Sequence, residues 1–440
     1  MSRIVMFLAA WMVGMSLQVY RGEAMEIQRI TTPGGIEAWL VEEHSLPIVF
    51  VEMYWRAGSS SEASSLEGLA YMLSGMLDEG AGDLDSEAFQ KRIADLNIGF
   101  AFNASKDFFS VHVRTLEENL DETMELLRLA LTQPHFDEEA LERVRAQILA
   151  SLKQNLQDPE TIAARTWFST AFAGHPYARS TRGTPETVQA IQADDLRDWM
   201  SRALARDNIT VTAVGDVTPE RLSRLLEKTL SGLPENANVA IPEATSFQAP
   251  GRVEVIDYPN PQSVIQFGHS GLHRDDPDFI AAYVMNHVLG GSVLISRLGE
   301  EVREKRGLAY SVYSYLQPLE QADLFSGYLA TGNASAGKAL DQVRLEIARM
   351  QKEGVSQEEL DNAKTYLIGS YPLRFDSSEK IVSQLSYIQR EGLGIDYVDK
   401  RNALIESITR DDILRVAQRL LDPEELLVVV VGEPELSSAP

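Results

Sequence analysis

The 440-residue chain contains no cysteine. Disulfides, thiolate zinc sites, a cysteine nucleophile and a lipid-modified N-terminal cysteine are excluded together. Basic residues are scarce as well: 40 Lys and Arg stand against 65 Asp and Glu. The resulting net charge of −25 repels phosphate backbones and argues against nucleic acid as a partner. With only seven histidines, any metal would have to rest on these and on carboxylates. Long apolar runs are missing too. No segment reaches about 18 apolar residues free of charge, which argues against stable membrane insertion. Glycine (29) and proline (18) are too thinly spread for a collagen-like or linker-dominated chain, and 44% hydrophobic with 24% charged residues is the mix of a globular protein of two or three domains.

What is present begins with an export signal. Arg3, an apolar stretch from Ile4 to Leu17 and a small-residue site at Gly22-Glu23-Ala24 read as a signal peptide over residues 1–24, cleaved near Ala24. With no cysteine to anchor it, the expected location is the periplasm. After Met25, strand patterns at Glu26–Thr31, Ile36–Val41 and Pro47–Trp55 precede helical periodicity at Ser65–Leu77, Ser86–Leu96, Leu120–Leu131 and Asp137–Leu156. Strand-like Ile98–Ala104 and Phe108–Thr115 interrupt the helices, so the class is α+β.

From Gly232 to Pro250 the composition turns to Pro, Ala, Asn and Ser, which marks a linker over residues 232–251 between a first domain, 25–231, and a second, 252–440. Three anchors repeat across it. Asp137–Leu141 pairs with Ser356–Leu360 at an offset of 219 residues, Ala193–Leu196 with Arg410–Ile413 at 217, and Ala213–Asp216 with Val430–Glu433 at 217. Two copies of one domain with a cleft between them are expected.

The first copy carries Arg56-Ala57-Gly58-Ser59-Ser60 and then Gly68-Leu69-Ala70-Tyr71-Met72-Leu73-Ser74-Gly75-Met76. This resembles the opening of the pitrilysin/insulinase-type zinc peptidases, the inverzincins, whose helix reads G-L-A-H-x-x-E-H-M. There the two His bind zinc and the Glu activates its water. Here Tyr71, Ser74 and Gly75 occupy those positions: a phenol is a poor zinc ligand, a hydroxyl cannot act as the base, and glycine has no side chain. The family's third ligand, a Glu on a later helix, has no counterpart either, because no carboxylate lies between Glu142 and Asp158. No metal is expected in this chain. His269 and His273 have i, i+4 spacing, but Gly271 and an Asp-Pro turn disfavour a helix there, and the other five His are isolated.

The second copy carries Leu289-Gly290-Gly291-Ser292, then Glu301-Val302-Arg303-Glu304-Lys305-Arg306-Gly307-Leu308-Ala309-Tyr310-Ser311-Val312. This is similar to the family's second-domain signature, in which an Arg and a Tyr seven residues apart reach the substrate at the zinc. Arg303 and Tyr310 match them as catalytic candidates. Gly307 is expected to end the helix bearing Arg303, with Leu308–Tyr313 following as a strand, so that the two side chains converge at a corner. A phenol donor and a fixed guanidinium suit a carbonyl becoming an oxyanion. Gly290 and Gly291, and Asn103 on a possible strand edge at Phe102–Ser105, are the candidate substrate-binding positions.

The resemblance implies two repeated domains, each a roughly six-stranded, mostly antiparallel sheet with helices on one face, forming half of a clam-like chamber. It implies a non-zinc-binding subunit of a heterodimeric peptidase, inactive on its own, with zinc in a homologous partner carrying H-x-x-E-H and an extended peptide as substrate. The alternative is a catalytically inactive peptide-binding or structural protein on the same fold.

Overall fold

The structure, a computed structural model, describes residues 25–436; the expected signal peptide lies outside them. Eleven strands form two sheets: β1 (Gln28–Thr31), β2 (Glu37–Glu42), β3 (Ile48–Trp55), β4 (Gly99–Ala104), β5 (Phe109–Leu116) and β6 (Ile209–Gly215) in the first, β7 (Val253–Asp257), β8 (Gln262–Ser270), β9 (Ser311–Pro318), β10 (Asp323–Gly332) and β11 (Leu427–Gly432) in the second. The first sheet has the order β1-β2-β6-β3-β5-β4 and the second β7-β11-β8-β10-β9. The second repeats the first strand for strand, lacking only a counterpart of β1. In each sheet one parallel pair, β2 with β6 or β7 with β11, stands beside antiparallel neighbours. The strand at the far end, β4 or β9, pairs on one side only. The expected α+β pair of repeated, mostly antiparallel sheets is therefore present, with five strands in the second.

The helices cover more than the expected single face. On the first sheet, Val49, Val51, Met53, Val211 and Ala213 point into a core shared with helices of the same half. The alternate residues Trp39, Val41 and Val214 pack against Val382, Leu385 and Ile388, on the Ser378–Arg390 helix of the second half. The second sheet reverses the roles. Val428 and Val430 face their own half's helices, whereas Leu427, Val429 and Val431 pack against Ala163, Trp167 and Ala171, on the Pro159–Ala171 helix of the first half. Since a strand's side chains alternate between faces, only a sheet buried on both sides accommodates the unbroken apolar run Leu427–Val431.

The two exchanged helices are themselves repeat equivalents. Asp158 caps one by accepting from the Thr161 amide at 3.0 Å, with Pro159 in the first turn. Ser377, which lies 219 residues on as Ser356 does from Asp137, caps the other by accepting from the Lys380 amide at 3.3 Å. Polar bonds tie each helix to its host sheet: the Trp167 indole N–H donates to the Leu427 carbonyl at 3.1 Å, and the Thr212 hydroxyl donates to Gln389 at 2.8 Å. Residues 232–250 form no helix or strand. They run beside the Trp167 face, where Phe247 meets the Trp167 ring at 5.9 Å and the Gln248 amide donates to the Ala171 carbonyl.

Trp167 is fully buried, so Trp167→Ala removes both a large ring and the indole bond to β11. Equilibrium urea unfolding should show a loss of about 3–5 kcal/mol, and a loss under about 1 kcal/mol would mean that the exchange contributes little.

Candidate functional site

The segment expected as a helix over Ser65–Leu77 is helical only over Leu69–Ser74, because glycines break it at both ends. Gly68 has φ +94°, a left-handed conformation, and a Cβ there would lie 2.8 Å from the Arg182 carbonyl oxygen. Only glycine lets the 182–183 backbone come so close. The free amides at the helix start are taken by Glu62, which accepts from Gly68 at 2.9 Å and Ala70 at 2.6 Å. Burial pushes the Glu62 carboxyl up to about 8, outweighing these two donors and the nearby Arg179. Beside it, burial pulls the Lys106 amine down to about 8, while the amine donates to the Tyr177 and Arg179 carbonyls.

A cavity of about 710 Å³ opens on this short helix and is lined by Tyr71, Ser74 and Gly75, by Phe102–Ala104 of the β4 edge, and by the Glu138–Asn155 helix. The structure thus brings Tyr71, Ser74, Gly75 and Asn103 together, with Asn103 exposed on a strand whose other edge is free. The residues do not fit zinc. Ser74 donates its hydroxyl to the Tyr71 carbonyl at 2.7 Å, and the Tyr71 ring lies under the Arg182 guanidinium at 5.3 Å. At Gly75 a Cβ would meet Val144 Cγ1 at 3.2 Å, so packing fills the space of the missing ligand. The helix expected to carry the third ligand offers Val144, Gln147, Ile148 and Ser151. Arg182 is the one charged residue in the lining. Among the described residues no group of three or more His, Asp or Glu converges to metal-binding geometry. Buried His269 bonds the Ser270 carbonyl at 2.7 Å, and exposed His273 pairs with Asp275 at 2.5 Å.

Neither Arg303 nor Tyr310 lines this cavity. Arg303 lies on a π-helical turn, Gly299–Glu304, and its guanidinium pairs with Glu304 at 2.9 Å. Gly307 ends the turn as expected, with φ +59° and its amide donating to the Arg303 carbonyl at 2.9 Å. The strand starts at Ser311, not Leu308, because the wider turn spends Leu308 on closing back to the Val302 carbonyl. Tyr310 is 79% exposed. Gly290 and Gly291 are packing glycines: a Cβ on Gly290 would overlap Ser314 Oγ at 2.3 Å, and one on Gly291 would approach His287 Cα at 2.7 Å. Gly291 alone of the two lines a cavity, a different one in the second half.

Comparison with known proteins decides the family. Residues 39–185 match the pattern described as Insulinase (Peptidase family M16), and residues 190–367 match the Peptidase M16 inactive domain. The chain belongs to peptidase family M16. Within it, the chain is 31% identical over 384 residues to the non-peptidase homolog YmxG of Helicobacter pylori, covering 86% of this chain and 87% of that protein. A solved structure from Pseudomonas fluorescens, described as a peptidase M16 inactive domain, superposes with a TM-score of 0.87 at 28% identity, covering 94% of this chain and all of that one. A chain of complex III2 from Candida albicans, 16% identical, shares the fold with a TM-score of 0.77 over 93% of this chain and 97% of its own.

Two outcomes follow from this geometry. After dialysis against zinc, metal analysis should find well below one zinc per chain, and a tight stoichiometric zinc lost on changing Tyr71 would overturn the packing account. A carboxyl with a raised folded-state pKa stabilises the fold while protonated and loses that contribution as pH climbs from 4.5 towards 8. Glu62→Gln should therefore remove a negative slope of up to about 1.4 kcal/mol per pH unit from the unfolding free energy between pH 5 and 8. Denaturant titrations of both proteins across that range measure it.

Proposed function

We propose that this chain is the non-zinc-binding subunit of a heterodimeric M16 peptidase in the periplasm, exported by a signal peptide over residues 1–24. A homologous partner carrying H-x-x-E-H supplies the zinc, and this chain supplies Arg303 and Tyr310 to a peptide held in the chamber between them. The observation that carries the reading is Tyr310, a phenol at a helix-to-strand corner that is exposed and makes no side-chain bond within the described residues. Burial is the usual fate of a tyrosine kept for packing. Leu294 and Ile295, between the glycine pair and the Arg303 turn in sequence, are exposed apolar side chains of the kind a partner would cover. The free edge of β4 at Asn103 suits an extended peptide, which would add a strand beside it.

A second reading, an inactive peptide-binding or assembly protein, draws support from the Arg303–Glu304 pair, which engages the guanidinium within the chain, and from the non-peptidase description of the Helicobacter pylori relative.

Reconstitution with the zinc-bearing subunit separates them. Tyr310→Phe should lower peptide turnover by about a hundredfold to a thousandfold, the usual loss of one oxyanion donor. Arg303→Ala should raise KM more than it lowers kcat if the guanidinium holds substrate backbone in ground and transition states alike. Because Tyr310 is exposed, the melting temperature should stay that of the wild type. Full turnover in a correctly assembled double variant would leave the assembly reading.

A further inference from the structure

The second half has a cavity of about 620 Å³ built from the counterparts of the elements around Tyr71. Its walls are the Phe279–Leu289 helix, the β9 edge and the Gln357–Gly369 helix, closed by the Ser378–Arg390 and Tyr397–Ser407 helices. Its chemistry differs from that of the first cavity. Six tyrosines line it, at 283, 315, 366, 371, 387 and 397, together with Arg274, Arg374, Arg401 and His287. Although the chain has 65 Asp and Glu, none among the described residues lines it.

Two of the arginines are buried, Arg274 at 8% exposed and Arg401 at 5%. The bonds of Arg274 include one to the Tyr397 hydroxyl at 2.8 Å, and its buried Nε has no partner. Its guanidinium lies 4.4 Å from the centre of the Phe279 ring. Arg401 donates to the Leu367 carbonyl at 3.1 Å and to Asn402 at 3.2 Å, and lies 4.0 Å over the Tyr371 ring. Neither is paired with a carboxylate among the described residues. The acid that Arg274 influences, Glu391, is engaged by Arg390 at 3.4 Å. A buried guanidinium without a counter-ion is costly, and ring faces and carbonyls offset only part of that cost. In a chain so acidic, a cavity lined by cations and no carboxylate is set apart from the rest of the surface. The volume lies in the range of small-ligand pockets, and the tyrosine walls favour an aromatic body.

We propose that this cavity binds an organic carboxylate with an aromatic or apolar body, its charge between Arg274 and Arg401 and its body against the tyrosines. The same chemistry could arrive as a free aryl carboxylate or as the C-terminal residue of a peptide. The site needs no zinc-bearing partner, so it stands or falls separately from the peptidase reading.

Calorimetric titration of the whole mature chain tests it with three probes: 2-naphthoate, the neutral 2-naphthamide, and a short peptide ending in phenylalanine with a free carboxylate. Naphthoate should bind one-to-one and at least tenfold tighter than the amide. Stronger binding of the peptide would assign the site to chain termini, and binding of naphthoate alone would assign it to small molecules; either supports the proposal. Arg401→Gln should weaken naphthoate at least tenfold. Because Arg401 also holds the Leu367 carbonyl, Tyr366→Glu provides a second arm: Tyr366 is 51% exposed on the cavity wall and loses only its stacking on His287, so a carboxylate there repels the anion in a protein whose melting temperature confirms that it is folded. Equal affinity for naphthoate and its amide, no saturable binding of either anion, or unchanged affinity in a folded Tyr366→Glu would overturn the proposal.

Discussion

Each half of this molecule closes the other's sheet, and the geometry of the rest follows from that exchange. The Pro159–Ala171 helix seals the outer face of β8 and β11, and the Ser378–Arg390 helix seals that of β3 and β6. A sheet with apolar residues on both faces cannot stand in water with one of them open, so burial is the main force holding the halves together. Polar contacts then sharpen the joint. The Tyr177 hydroxyl donates to Asp107 at 2.5 Å and accepts from the Gln321 amide at 3.0 Å, while Arg56 pairs with Glu320. With the sheet faces covered, the binding surfaces left are at the ends, where β4 and β9 have free edges and where both cavities lie.

The two cavities show what duplication permits. The same helix, edge strand and long helix build both, yet one is lined by uncharged residues around a single guanidinium and the other by tyrosines and cations. In the first, the three motif positions fail to fit zinc, each for its own reason: Tyr71 lies under Arg182, Ser74 bonds a backbone carbonyl, and Gly75 has Val144 packed against it. Reversal would need the helix opposite to change as well as the motif.

Much of this was legible in the sequence because it rests on local pattern. The repeat announced itself through helix starts and through strand ends at Gly215 and Gly432, both at positive φ, where the chain must turn sharply. Tyr71, Ser74 and Gly75 were found only through the resemblance of Gly68–Met76 to the family motif, since nothing in their own chemistry marks them. The exchange was not legible: Leu427–Val431 says that β11 is buried on both faces, but no residue says which helix does the burying. Arg182 and Glu62 escaped for a similar reason, since each reaches the site from a loop of irregular structure. The second cavity left a faint trace, six of the chain's 14 tyrosines drawn from segments without a common period. Arg303 sits on a π turn where an ordinary helix was expected, because a helical period does not distinguish the two over six residues.

The exchanged helices also set a timetable for synthesis. When Gly215 leaves the ribosome the first sheet has all its strands, but Trp39, Val41 and Val214 stay bare until the segment around Val382–Ile388 follows about 170 residues later, roughly 10–30 s at ordinary elongation rates. During that interval the nascent chain offers an apolar sheet face to any hydrophobic neighbour.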